Sequence, residues 1–468
     1  MRRCSLTLVV CAAAAVVMMG TGAHAQTNAE VNAAIQFNFS TPGARSLGLG
    51  GAFVGLADDA TAAFTNPAGL TALSKMEVSF EARQWEYTNT YTWGGRSFGE
   101  PNPDYEIDTA GITTGEASDS TTGLSFLSFV YPREKWAIAV YRHELANFET
   151  RFRTQGAYFD AFDDLGDGYQ EYTFRFYPVD AFLELDIVNY GTSAAFRLGD
   201  NFNLGVGVSY YDFQLDSTTN RYGMWNADFP EDPGGFWGVP DYSASNVLNY
   251  QEQTGDDTDV AFNLGFLWKL GEKFSLGGVY RQGPSFSYNT RNVAGPAAAN
   301  PGEEFAAAEA EFNVPDVYGL GFAIRATDAF TVAFDYSHVK YSSLTDNIVN
   351  IFSEPAEYPD QDEAADRLTV DDADELHLGL EYVFVNAKYP VALRFGSWYD
   401  PDHRVRFDGD PGEGREARAL ATSFREGDDE LHYSAGIGFI FGETFQLDAA
   451  ADFSDNINTL SLSGVVRF

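Results

Sequence analysis

Residues 444–468 read TFQLDAAADFSDNINTLSLSGVVRF, and their alternation sets the reading of the rest of the chain. In an extended chain successive side chains point to opposite faces. Phe445, Leu447, Ala449, Ala451 and Phe453 therefore share one face, and Thr444, Gln446, Asp448 and Asp452 share the other. The pattern returns after Ser454, with Leu460, Leu462, Val466 and Phe468 set against Thr459, Ser461, Ser463 and Arg467. One face is too polar for the core of a sandwich, and the other is too apolar for water. Strands with lipid outside and a polar lumen inside satisfy both.

Working outward, the same alternation marks Val260, Phe262, Leu264, Phe266 and Trp268, and then Phe330, Val332, Phe334 and Tyr336. About fourteen such segments are long enough for a tilted membrane strand. They cover 76–93, 121–131, 135–151, 184–197, 202–215, 257–269, 273–290, 316–326, 329–342, 374–386, 389–400, 428–441, 444–453 and 457–468. Tight turns at 132–134, 199–201, 270–272, 327–328, 387–388 and 442–443 alternate with long acidic connections, apart from a short one near Ser454. Short periplasmic turns opposite long extracellular loops are the habit of an outer-membrane barrel. The predicted fold is all-β, a transmembrane antiparallel barrel over 76–468. Aromatic residues at strand ends, Trp85, Tyr87, Tyr91, Trp93, Tyr131, Trp136, Phe202, Phe274 and Tyr389, are expected to form interfacial girdles.

Composition agrees. The 468 residues include 39 Phe, 25 Tyr and 7 Trp, which excludes a disordered acidic protein. The net charge of −39 disfavours nucleic acid as a partner. Residues 1–25 combine Arg2 and Arg3, an apolar stretch from Leu6 to Met19, and Ala23-His24-Ala25, the pattern of a cleaved secretory signal. Both cysteines, Cys4 and Cys11, fall inside it, so the exported chain from Gln26 is expected to be cysteine-free.

A barrel of this strand number is wider than the roughly eight strands whose side chains fill a lumen. Residues 26–75 do not alternate and carry Gly48, Gly50 and Gly51, then Asp58 and Asp59, then Asn66-Pro67-Ala68. Asp58 or Asp59 is expected to cap a short helix that Pro67 ends near Thr65. The segment reads as a compact domain inside the lumen.

The run from Gly43 to Leu70, with ARSLGLGGAFVGLADDAT and Asn66-Pro67-Ala68, resembles the N-terminal hatch of the FadL/OmpP1/TodX family of outer-membrane transporters for long-chain fatty acids and other hydrophobic compounds. Terminal Phe468 is similar to the outer-membrane assembly signal. The resemblance implies a passive channel without a cofactor, with Gly50, Gly51, Asp58, Asp59, Asn66, Pro67 and Ala68 in the gating hatch. It also implies that Asn66-Pro67-Ala68 approaches a kink in the third strand, where substrate leaves sideways. Lys135 to Arg151 contains no glycine, so that kink would form around Leu145-Ala146-Asn147, making Ala146 and Asn147 the lateral-opening candidates. PorV-like barrels that assist protein secretion have a similar N-terminal block and stand as the alternative, together with a general porin.

The loop 216–255 holds Trp225, Phe229, Phe236, Trp237 and Tyr242 amid Pro and Gly, a candidate capture site for an apolar ligand that self-packing of the loop would equally explain. The fourth long loop, 292–315, adds Phe305. A fatty carboxylate needs a lumenal cation, and alternation points Arg281 and Arg394 inward, where they would bind ligand or balance carboxylates such as Asp335. The acidic stretch 354–375 would face lipopolysaccharide at the cell surface. Asp163 to Gly168 fails as a calcium loop, with Leu165 at the third position and Phe174 at the twelfth. No GxSxG, HExxH or Walker sequence occurs, and His143, His338, His377, His403 and His432 are scattered singly, so no enzyme is predicted. The expected assembly is a monomer in the outer membrane.

Overall fold

The computed structural model describes residues 41–164, 168–223, 238–346 and 367–468. The predicted signal segment, Trp225, Phe229, Phe236, Trp237 and most of the acidic stretch lie outside them. The strands are β1 (Glu77–Arg96), β2 (Gly111–Pro132), β3 (Trp136–Thr154), a short hairpin of β4 (Tyr158–Asp163) and β5 (Gln170–Arg175), β6 (Val179–Arg197), β7 (Phe202–Tyr222) and β8 (Val247–Leu270). They continue as β9 (Phe274–Arg281), β10 (Ser285–Ala294), β11 (Glu304–Asn313), β12 (Val317–Arg325), β13 (Phe330–Val339), β14 (Leu368–Thr369), β15 (Ala373–Phe384), β16 (Val391–Asp400), β17 (Arg406–Phe407), β18 (Glu430–Phe441), β19 (Phe445–Phe453) and β20 (Ile457–Arg467). Each barrel strand pairs antiparallel with its neighbour, and β20 closes on β1 from Glu77↔Arg467 to Tyr87↔Ile457. β9 with β10, and β11 with β12, each form one bent wall strand, which makes fourteen. No helix among the described residues is long and apolar enough to cross a membrane; the strands do so.

The two faces separate as alternation requires. On β15, Leu376, Leu378, Leu380, Tyr382 and Phe384 are exposed outward, while Glu375 and Glu381 are buried within. Exposed apolar side chains repeat around the ring, among them Phe129, Val208, Phe262, Leu320, Phe395 and Leu462. In water this belt would be untenable, whereas in lipid each side chain is worth roughly 1.5–3 kcal/mol of burial.

Four expectations need correction. The strands from β2 to β8 run well past the lipid-facing residues into the extracellular region, because polar residues continue the ladder there. The span 273–290 is broken at Gln282 to Pro284, since proline lacks the N–H a ladder needs. The supposed loop 292–315 is largely a strand pair, β10 with β11. Trp85 and Tyr87 are buried on the lumenal face of β1 rather than girdling the membrane.

Residues 41–75 lie within the ring as α1 (Ala44–Leu47), α2 (Ala62–Thr65) and a 3₁₀ turn (Pro67–Ala72). Thr61 rather than Asp58 or Asp59 is the N-cap of α2, and Asp59 acts two residues earlier, accepting from the Thr61 N–H at 3.0 Å. Extracellularly, β4 and β5 pack with α3 (Arg415–Ser423) through Phe159, Ala161 and Ala419.

Candidate functional site

The inner segment is held on several sides of the wall. Val54 N–H donates to Asp335 on β13 at 2.6 Å, Ser275 on β9 donates to Gly55 O at 2.7 Å, and Ser193 on β6 donates to Ala63 O at 2.6 Å. Asn66 Nδ2 donates to Val54 O and to Phe266 O of β8, each at 3.0 Å, while its Oδ1 accepts from Ala68 N–H at the start of the 3₁₀ turn. Pro67 and Ala68 press on β7, where a Cβ added at Gly205 would overlap the Ala68 backbone. Gly50 and Gly51 have φ of 63° and 77°, the left-handed region that glycine adopts freely, and a Cβ at Gly396 would strike the Gly50 nitrogen. Further inward wall glycines, Gly265, Gly277 and Gly321, meet Asn66, Val54 and Gly55 in the same manner. These wall glycines were not anticipated; glycine at inward-facing strand positions is the signal that would have found them.

A chain of ion pairs, partly buried at Arg45 and buried at Arg394, continues the attachment. Arg45 contacts Asp58 at 2.6 Å, Asp59 at 3.4 Å and Glu381 at 3.0 Å. Glu381 also meets Arg394 at 2.7 Å, and Arg394 meets Asp448 at 2.7 Å. Arg394 is thus 2% exposed between two carboxylates, which occupy the guanidinium that a ligand carboxylate would need. His377 closes the inner turn: Nδ1 lies 2.8 Å from Gly50 O, Nε2 lies 3.2 Å from Glu375, and the ring stacks on Trp398.

Arg281 differs. It makes no ion pair among the described residues, its Nη1 has no hydrogen-bond partner, and its guanidinium lies 5.2 Å over the Phe64 ring. It borders two cavities. The first, of about 40 Å³, is also lined by Gly50, Gly51, Asp335, Glu375, His377 and Trp398. The second, of about 20 Å³, runs from Phe64 and Leu145 past Tyr211 to Phe262, Gly283 and Pro284. Each has room for little more than a water or two, so an apolar ligand passes only if side chains or the inner segment move.

At the third strand the β3–β6 register shifts between Glu144 and Ala146, and the β2–β3 ladder ends at Phe126↔His143. Beyond it Thr121 Oγ1 donates to Asn147 O at 2.9 Å, Arg151 N–H donates to Asp119 at 3.1 Å, and Arg142 reaches Leu124 O. The buried Glu144 carboxylate lies against Gly123, 3.4 Å from Arg142, and stoppers that gap. Of the capture candidates, Tyr242 donates to Thr154 O at 2.9 Å and packs edge-on against Tyr222, which ties its loop to β3. Phe305 sits on β11, about one-third exposed at 36%. A larger extracellular cavity of about 360 Å³, with Arg404, Glu426, Asp428 and Asp429 in its lining, is polar.

The family model for outer membrane protein transport proteins (OMPP1/FadL/TodX) matches residues 181–455. A FadL homologue from Pseudomonas aeruginosa superposes with a TM-score of 0.61 at 16% identity, covering 93% of this chain and 100% of that one. The toluene transporter TodX of P. putida gives 0.57 at 14% identity over 92% and 99%. The toluene transporter TbuX of Ralstonia pickettii gives 0.53 at 14% identity over 92% and 98%. At such identities these likenesses are of fold. No curated protein matches the chain.

Proposed function

Because the chain belongs to the OMPP1/FadL/TodX family of outer-membrane transport proteins, we propose that it is a passive channel for hydrophobic small molecules, gated by residues 41–75 as a hatch. The observation that carries this reading is the occupied lumen: the segment is bonded to strands on several sides, and the two cavities that Arg281 borders beside it hold about 40 and 20 Å³. A general porin needs an open aqueous lumen instead. The chemistry beside the hatch supports uncharged cargo. Asp335 and Glu375 line the 40 Å³ cavity with Arg281, and Asp400 and Asp452 border it too, so a ligand carboxylate would meet four acidic neighbours for one unpaired arginine.

The test is uptake of labelled toluene and labelled oleate by cells that express the barrel or lack it. Expression should accelerate toluene clearly and oleate less. Arg281→Ala should leave toluene within about twofold and lower whatever oleate uptake exists by about tenfold, the loss of one charge-assisted contact. A barrel that moves neither compound, while its loops retain a secreted protein, would favour the PorV-like role.

A further inference from the structure

The wall is interrupted a second time, between the sixth and seventh barrel strands. β8 pairs with β9 from Leu270 up to Asn263↔Arg281, and with β10 only from Thr254↔Asn289 onward. Over the intervening residues, backbone pairing is replaced by two aspartates. Asp257 accepts from Thr258 N–H at 2.8 Å on its own strand and from Ser287 N–H at 2.7 Å across the gap. Asp259 accepts from Val260 N–H at 2.7 Å and from Ser285 N–H at 2.9 Å. Each carboxylate therefore bridges both edges, satisfying four N–H groups that would otherwise be orphaned beside a membrane.

The separation is built into neighbouring strands. At Gly283-Pro284 and again at Val314-Pro315 the wall bends; a Cβ at Gly283 would overlap Val314 O, and Asp316 accepts from Gly283 N–H at 2.8 Å. The lower lip of the gap is apolar. Gln282 N–H donates to Phe262 O there, Phe262 is 44% exposed on the lipid face, and its ring meets Tyr280 edge-on. The 20 Å³ lumenal cavity reaches this lip, since Phe262, Gly283 and Pro284 line it together with Phe64 of the hatch. The gap beside β3, by contrast, is stoppered by the Glu144 carboxylate and Arg142.

We propose that the interruption between β8 and β10 is a lateral portal, through which an uncharged apolar ligand passes between the lumen and the outer margin of the lipid. The proposal rests on the transport reading. A ladder opens only by breaking successive backbone pairs, whereas here two side chains need to rotate. The bridging carboxylates disfavour an anion at the exit, which matches the uncharged cargo inferred above.

The chain has no cysteine beyond Cys4 and Cys11, so a staple can be placed cleanly. Asp259→Cys with Ser285→Cys spans this gap, and Asp119→Cys with Arg151→Cys spans the gap beside β3 with similar geometry. Toluene uptake is measured with each pair oxidised and reduced, and heat-modifiable migration reports the barrel. Oxidising the 259/285 pair should slow uptake by about tenfold, reversed by dithiothreitol, while the 119/151 staple changes it by less than about twofold. Ala261→Val, which narrows the cavity behind the lip by two methyl groups without a crosslink, should slow uptake in the same direction and stands in if the staple prevents assembly. Unchanged uptake with the 259/285 staple, or complete loss from the 119/151 staple alone, overturns the portal but leaves the transporter. Reduced variants and parent no faster than cells without the barrel overturn both.

Discussion

Arg281 and Arg394 show how far a single inward arginine can be read. Alternation placed both in the lumen, but only contacts from distant strands separate a guanidinium held by Glu381 and Asp448 from one resting on Phe64. His403, which looked isolated in sequence, is another such case. It stacks on Tyr341 at 4.2 Å, and its Nδ1 lies 3.0 Å from Pro401 O and 3.4 Å from Asp400. Burial alone would depress this imidazole, but Asp400, the Pro401 carbonyl and Glu375 outweigh it and raise it to about 9. The raised value means that protonation stabilises the folded loop. That contribution is full below the ordinary histidine pKa of about 6.5 and is lost as pH rises through about 9. The heat-modification temperature of the detergent-solubilised barrel should therefore fall between those two pH values, and His403→Ala should flatten the fall. A parent protein whose transition is flat over that window would remove this role for His403.

At the level of elements, the wall strands were legible where lipid forces alternation. β15, β18, β19 and β20 begin and end within about two residues of their expected bounds. Strand ends beyond the lipid were not legible, because there both faces are polar and the period of two disappears, as in the upper half of β8. The inner segment was recognisable by its failure to alternate, but its partners were not, since the Gly205 and Gly396 contacts join residues far apart in sequence. The function of those glycines is testable. A methyl group at position 205 meets backbone rather than the end of a flexible side chain, so relief requires the 3₁₀ turn at Pro67 to Ala72 to shift. Gly205→Ala should cost about 1–3 kcal/mol in hatch docking, as overpacking does, and raise the frequency of brief ion-conducting openings in planar bilayers while heat-modifiable migration persists. An equal effect from alanine at Gly199, a periplasmic turn glycine with open space around its Cβ, would show that the docking surface is irrelevant.

For the whole molecule, the question is what the ring would be without its contents. Fourteen strands enclose more space than their own side chains can fill, so removing residues 26–75 should leave a water-filled lumen. The exposed wall would be acidic: Glu81, Asp335, Glu375, Glu381, Asp448 and Asp452 face inward against Arg83, Arg281 and Arg394. Arg45, which neutralises Glu381 from the hatch side, would leave with the deletion. Rings of carboxylates raise the local concentration of cations and repel anions. The deleted barrel, checked for heat-modifiable migration, should therefore conduct at several times the level of the parent in planar bilayers and favour potassium over chloride in a salt gradient. Selectivity should weaken as ionic strength rises, because the Debye length contracts from about 10 Å at 0.1 M to about 3 Å at 1 M. A parent that already conducts like an open porin would show that residues 26–75 are no obstruction. A deleted barrel that prefers chloride would show instead that the wall charges do not govern the lumen.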